Sequence, residues 1–212
     1  MLVPSLDERL DRQLRFILEA DRLKGVGRQS YVLGGARKEN SAEHSWHVAL
    51  MVLVLAEHAD APVDRFRVVQ MLLVHDIVEI EAGDTYIYDA QGNQSKAQRE
   101  QAAAERLFGL LPADQAAAFR ALWQEFEAGE TAEARFANSL DRLMPLLHNV
   151  ATAGRSWREH GVTAAQVRGR NLPDTRMGCR RLGQYADAAL DEAERRGFLC
   201  PSRSSPPAAA GP

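Results

Sequence analysis

A chain of 212 residues with 45% hydrophobic content is long enough for one domain with a full core and a few short extensions, and a second domain is not expected. Its formal net charge of −3, from 26 basic and 29 acidic side chains mixed along the chain, gives no basic footprint for a nucleic-acid polymer and favours small-molecule chemistry. No apolar run is long enough to span a bilayer, the first residues do not form a leader pattern, and Cys179 and Cys200 form no metal motif, so a soluble cytoplasmic protein with spare thiols is expected.

Leu6 to Leu23 places Leu10, Leu14, Phe16, Ile17 and Leu18 among charges with the spacing of an amphipathic helix. The glycines from Gly25 to Gly35 then predict a loop over Lys24 to Asn40, carrying Arg28, Arg37 and Lys38, which taken singly read as solvated cations. A helix start follows, with Asn40 or Ser41 as N-cap and acidic residues in the first turn, and the helix runs to about Ala59. His44 lies four positions before Val48 and seven before Met51, on the inward stripe of that helix. A lone histidine there is more often satisfied by a backbone carbonyl than by a metal. His47, one turn on, is a rival ligand that periodicity does not reject.

Pro62 is expected to open the next helix, running to about Glu81, and this helix carries the sharpest anomaly in the chain. His75 and Asp76 adjoin each other at the end of the apolar run Val68 to Val74. Burying that pair costs several kcal/mol unless its charge is offset, which a divalent metal would do. Glu79 follows one turn later on the same side, placed to hold or deprotonate a water. The polar loop Gly83 to Asn93 offers Asp84 as a binding residue, though a plain turn former fits as well. Helices are then expected from Ser95 to Leu110, from Pro112 to Glu127, and from about Thr131 past Leu147. Phe119, Leu122, Trp123 and Phe126 read as core. Asp141 is a second acid inside an apolar pattern, and Pro145 is expected either to end or kink its helix or to be tolerated where a site interrupts regular packing. Trp157 to Gly169 reads as short or irregular, Pro173 to Arg196 as a long covering helix, and residues 201–212 as a disordered tail. No repeat and no convincing strand is present, so the fold class is all-α, with one domain over residues 1–200.

The set Ser41-Ala42-Glu43-His44-Ser45, Val74-His75-Asp76-Ile77-Val78-Glu79, Gly83-Asp84-Thr85 and Ser139-Leu140-Asp141 resembles the HD-domain metal-dependent phosphohydrolases. The similarity is greatest to their 5'-deoxynucleotidase branch, of the bacterial YfbR type and the eukaryotic HD-domain-containing protein 2 type. The resemblance implies an HD-domain helical bundle with His44, His75, Asp76 and Asp141 as metal ligands and His47 outside the set. It implies Glu79 as catalytic glutamate, Asp84 as a contact to the sugar, and Arg28 as the arginine that orients the phosphate. Next to that arginine the YfbR type carries a tryptophan beside the sugar, where this chain has Gln29, a departure that bears on sugar selection more than on hydrolysis.

No histidine occurs between Ile77 and Leu140, whereas HD proteins with two metals add histidines there, so one metal is expected. A site of two imidazoles and two carboxylates suits Mn, Co, Zn, Fe or Mg without selecting among them. Arg28, with Arg37 or Lys96, is expected to offset charge on the phosphoryl oxygens of a nucleoside 5'-monophosphate, giving nucleoside and phosphate. A phosphodiester or pyrophosphorylated alarmone would need a larger anion pocket than these loops supply. A metal-binding helical module without turnover would leave Glu79 unexplained. The apolar helix faces and long final helix fit a homodimer, and the resemblance leans the same way.

Overall fold

A computed structural model of the chain describes residues 7–201. The first helix, α1 (Glu8–Ala20), is capped by Asp7, whose side chain accepts from the Arg9 and Leu10 amides, and it passes into a 3-10 turn over Asp21–Gly25. Its stripe is amphipathic as expected but faces the other way. Phe16 is buried, while Leu10, Leu14, Ile17 and Leu18 lie exposed. The polar side of α1 is the one turned to the protein. Arg12 donates to the carbonyls of Gly109 and Leu111, and Gln13 bonds Gln115 at 2.8 Å.

The segment expected to be a loop contains two short strands, β1 (Gly27–Tyr31) and β2 (Lys38–Asn40), paired antiparallel with an irregular register. Neither strand alternates apolar and polar residues, so period-two patterning gives no sign of them. Asn40 ends the hairpin and caps α2 (Ser41–Leu55) through a capping box with Glu43, a reciprocal pair of bonds that fixes where the helix begins.

The helix expected from Pro62 to Glu81 is three pieces. Asp64, two residues past Pro62, caps α3 (Arg65–Val74); a 3-10 turn spans His75–Val78; and α4 (Glu79–Ala82) ends at Gly83, whose φ of 74° turns the chain. The following helices are α5 (Gly92–Phe108), three residues longer at its start than expected, and α6 (Ala113–Ala128), closed by the left-handed Gly129. Next comes α7 (Ala132–Ala151), capped by Thr131. Pro145 neither ends nor divides α7: it lies inside the helix, where its missing N–H leaves the Asp141 carbonyl without its intrahelical donor.

Short helices α8 (Arg155–Glu159) and α9 (Ala164–Arg170) follow, the second with a Thr163–Gln166 capping box. The expected long final helix is broken into α10 (Leu172–Gly178) and α11 (Arg180–Arg195) by the extended Cys179, which caps α11 through Sγ. The break lets α10 lie against α7 so closely that a Cβ on Gly178 would strike the backbone of Arg135 and Phe136. Of the expected disordered tail only Pro201 is among the described residues. One apolar cluster links α2, α3 and α7 through Val48, Val52, Met71, Leu72, Leu140 and Leu143, all at most 1% exposed. No helix among the described residues is long and apolar enough to cross a membrane.

Candidate metal centre and its cleft

The apolar cluster brings three polar anomalies of the sequence to one point. His44, one turn into α2, is fully buried, and its Nε2 lies 2.8 Å from Asp141 Oδ1 on α7. His75 caps the end of α3, where its Nδ1 donates to the Leu72 carbonyl at 2.9 Å, which turns Nε2 inward to 3.0 Å from Asp76 Oδ1 and 3.6 Å from Asp141 Oδ1. That Nε2 is buried without a hydrogen-bond partner. Ligand atoms of His44, His75 and Asp141 all lie within 4.8 Å of one another, with Asp76 against His75.

The 3-10 turn that interrupts the expected helix matters here. With three residues per turn it stacks position i over i+3, so Asp76 and Glu79 fall on one side. Arg28 on β1 reaches both: its Nη1 is 2.9 Å from Asp76 Oδ2, 3.8 Å from Glu79 Oε2 and 3.7 Å from Asp84 Oδ1. Glu79 is buried, and Ser41 Oγ at the start of α2 donates to its Oε2 at 2.6 Å.

Four buried or nearly buried carboxylates thus surround one guanidinium and two imidazoles. Burial works against the charge of Arg28, yet Asp76, Glu79 and Asp84 raise its pKa above the ordinary value. Burial also opposes a proton on His75, but Asp76 and Asp141 outweigh it and push the imidazole up to about 9. Burial would raise Asp141, but its bond to His44 and the nearby imidazole of His75 hold it well below the usual carboxylate range. Glu79 goes the other way: burial first, then the charge of Asp76, drive it well above that range. Asp84 is raised by burial, with Arg28 opposing and Asp76 adding to it. This excess of negative charge, the inward Nε2 without a partner and the mixed nitrogen and oxygen donors fit a divalent ion held by His44, His75, Asp76 and Asp141.

A cleft of about 350 Å³ opens beside this cluster, and its lining includes Arg28, Gln29, Asp84, Lys96, Phe126 and Arg142. Gln29 is held at the rim, its amide oxygen accepting from Lys38 and bonding His160 Nε2 at 3.0 Å. Lys96 lines the cleft but is paired with Glu100 at 2.7 Å. Arg37 is not part of the site; it is exposed and pairs with Glu43. Three neighbours of the centre carry no flag in the sequence. Ser41 reads only as an alternative cap. Glu39, whose Oε2 lies 3.5 Å behind His44 Nδ1, reads only as a residue near a helix start. Arg142, bonded to Asp174 at 3.2 Å, is not singled out in the sequence.

This helical bundle, with a histidine from one helix, a His-Asp pair at the end of a second and an aspartate from a third around a common point, defines a class of protein. The chain belongs to the HD domain family, whose model matches residues 20–182. Among curated relatives, the 5'-deoxynucleotidase HDDC2 of Bos taurus is 33% identical over 135 residues, covering 63% of this chain and 64% of the relative. That of Homo sapiens is 32% identical over 135 residues, covering 63% and 65%. The match spans just under two thirds of these relatives' length. Among solved structures, one described as a "Predicted metal-dependent phosphohydrolase" from Magnetospirillum magnetotacticum MS-1 is 55% identical, covers 94% of this chain and 100% of its own, and superposes with a TM-score of 0.89. A conserved hypothetical protein from Pyrococcus furiosus, 21% identical with a TM-score of 0.59 over 86% of this chain and 99% of its own, shares the fold.

Proposed function

We propose that this chain is a metal-dependent phosphomonoesterase that hydrolyses (deoxy)nucleoside 5'-monophosphates to nucleoside and inorganic phosphate. The observation that carries the reading is Glu79, a buried carboxylate held one turn beyond the donor cluster, beside Arg28 and open to the cleft. The names borne by the bovine and human relatives, and the description of the Magnetospirillum protein, support it. One domain carries the whole site in this reading, since its donors project from helices that share a single core.

A divalent ion held by His44, His75, Asp76 and Asp141 supplies Lewis acidity toward a phosphate oxygen and lowers the pKa of water. Arg28 donates to the phosphoryl oxygens, where its geometry is fixed in advance by three carboxylates. Glu79, whose pKa is raised by burial, is the base that takes the proton of the attacking water, and Ser41 holds it by Oε2. As the water oxygen bonds to phosphorus, the bond from phosphorus to the 5'-oxygen breaks, and that oxygen takes a proton from solvent in the cleft. Asp84 accepts from a sugar hydroxyl, and Gln29 and Lys96 border the nucleoside.

The exposed stripes of α1 and α2 support a homodimer, and the free thiols Cys179 and Cys200 support a cytoplasmic location. The test is phosphate release from a panel of deoxyribo- and ribonucleoside 5'-monophosphates with Mn, Co or Mg, with Asp76→Ala as control. Release that vanishes in the variant is the expected result. A metal-loaded protein that releases phosphate from none of them sinks the reading and directs attention to phosphodiester or pyrophosphoryl substrates.

A further inference from the structure

Behind the His44 ring, on the side away from the cleft, a second set of ligating side chains converges. We infer that Glu39, His47 and His148 hold a second divalent transition-metal ion, separate from the one beside the cleft. Their ligand atoms lie within 4.8 Å of one another, and none of the three lines the cleft.

The elements that build the first centre also build this one. His47 follows His44 by three residues on α2, and His148 follows Asp141 by seven on α7. Each is thus one or two turns along the same helix face, and the two helices present a second pair of ligands beside the first. The His47 and His148 rings stand 5.9 Å apart, centroid to centroid. Glu39, at the middle of β2, closes the group from the hairpin side.

An independent observation points to a ligand. Glu39 and His148 are each 3% exposed, and Glu39 Oε2 and His148 Nδ1 are both buried without a hydrogen-bond partner. They face each other at 3.7 Å, too far for a hydrogen bond. Two buried polar atoms left unpaired cost free energy that a shared partner removes. Ligands of a tetrahedral ion with bonds of about 2.0–2.1 Å stand roughly 3.3 Å apart, close to the separation seen here. Two imidazoles and one carboxylate suit zinc, cobalt or ferrous iron, and are a poor match for magnesium or calcium, which take oxygen ligands. His47 is only half-buried, which leaves a path from solvent and a fourth position for water.

Metal content, not turnover, reads this proposal, so its failure is separable from that of the phosphomonoesterase reading. The intact chain is stripped with chelator, reloaded with Zn²⁺ or Co²⁺, desalted, and its metal counted per chain by mass spectrometry. Wild type is expected to hold two equivalents. His148→Gln and His47→Ala each lose one and keep phosphate release, while His75→Ala loses the other. The half-buried His47 gives a variant that folds even where His148→Gln does not, and circular dichroism checks both. A wild type with a single equivalent, lost in His75→Ala, overturns the inference and leaves a buried water as the occupant. So does a second equivalent that survives both histidine substitutions.

Discussion

Glu79 and Arg28 sit in the same group of charges, and substitution separates their roles. Glu79→Gln keeps the shape and the Ser41 contact but cannot accept a proton. Turnover is expected to fall roughly 10²- to 10⁴-fold, the usual contribution of a general base, with metal content unchanged. Loss of metal together with activity would make Glu79 a ligand instead. Arg28→Lys preserves the charge facing Asp76, Glu79 and Asp84 but loses the planar fork. It is expected to lower kcat more than it lowers Tm, and a melting temperature that collapses while kcat holds would show that the guanidinium serves the fold alone. At this scale the sequence was most legible where a charge interrupts an apolar run. His75, Asp76 and Asp141 stand out for that reason, His44 enters beside them through the resemblance, and the structure places the four together. Glu39 lies in polar surroundings along the chain and Arg142 is a cation directly after Asp141, so only the tertiary fold shows that one backs His44 and the other borders the cleft.

The breaks between helices position the site as much as the helices do. The 3-10 turn after Val74 is unmarked in sequence, because Val, Ile and Glu are all compatible with a continuous helix. The turn forms where His75 bonds the Leu72 carbonyl and Asp76 meets Arg28. The hairpin is invisible in the sequence for the opposite reason: its strands are too short and too polar to show a period. Gly178, at the break before α11, tests how much the α7–α10 contact contributes. Gly178→Ala places a methyl against the Arg135–Phe136 backbone, which cannot yield as a side chain would. A loss of about 1–3 kcal/mol in denaturant unfolding is expected. An unchanged midpoint would mean that α10 shifts freely on α7. The proposed metal ligands come from α2, the end of α3 and α7, so in this reading an ion binds the folded arrangement and not the unfolded chain. Metal at a hundred times its dissociation constant is expected to stabilise by about 2.7 kcal/mol, read as a fall in Tm on chelation and its recovery on reloading. A Tm indifferent to chelator would place the ion outside the set of His44, His75, Asp76 and Asp141.

At the scale of the whole molecule, α1 holds the clearest sign of a partner. An amphipathic helix on a monomer turns its apolar stripe to the core. Here Arg12 and Gln13 face the protein, Arg12 bonding to the α5–α6 connection and Gln13 to Gln115 in the first turn of α6, while Leu14 and Ile17 are 49% and 63% exposed. The outer side of α2 adds Trp46, Leu50 and Leu53, spaced four and three residues apart on one stripe, with Leu53 65% exposed. In the proposed homodimer these apolar stripes on two helices would be the paired surface, since the commonest closed arrangement for a single chain is a two-fold pair that brings the same stripe against itself. In such a pair a charge placed on the stripe meets its own copy, desolvated and repelled, which costs several kcal/mol. Light scattering is therefore expected to give twice the chain mass for wild type and the chain mass for Leu50→Glu/Leu53→Glu or Leu14→Glu/Ile17→Glu, with helical content retained in both. These positions lie outside the cleft, so the monomer should still bind metal. A wild type that is monomeric at micromolar concentration ends the dimer reading, and a dimer that survives both double substitutions moves the interface away from α1 and α2.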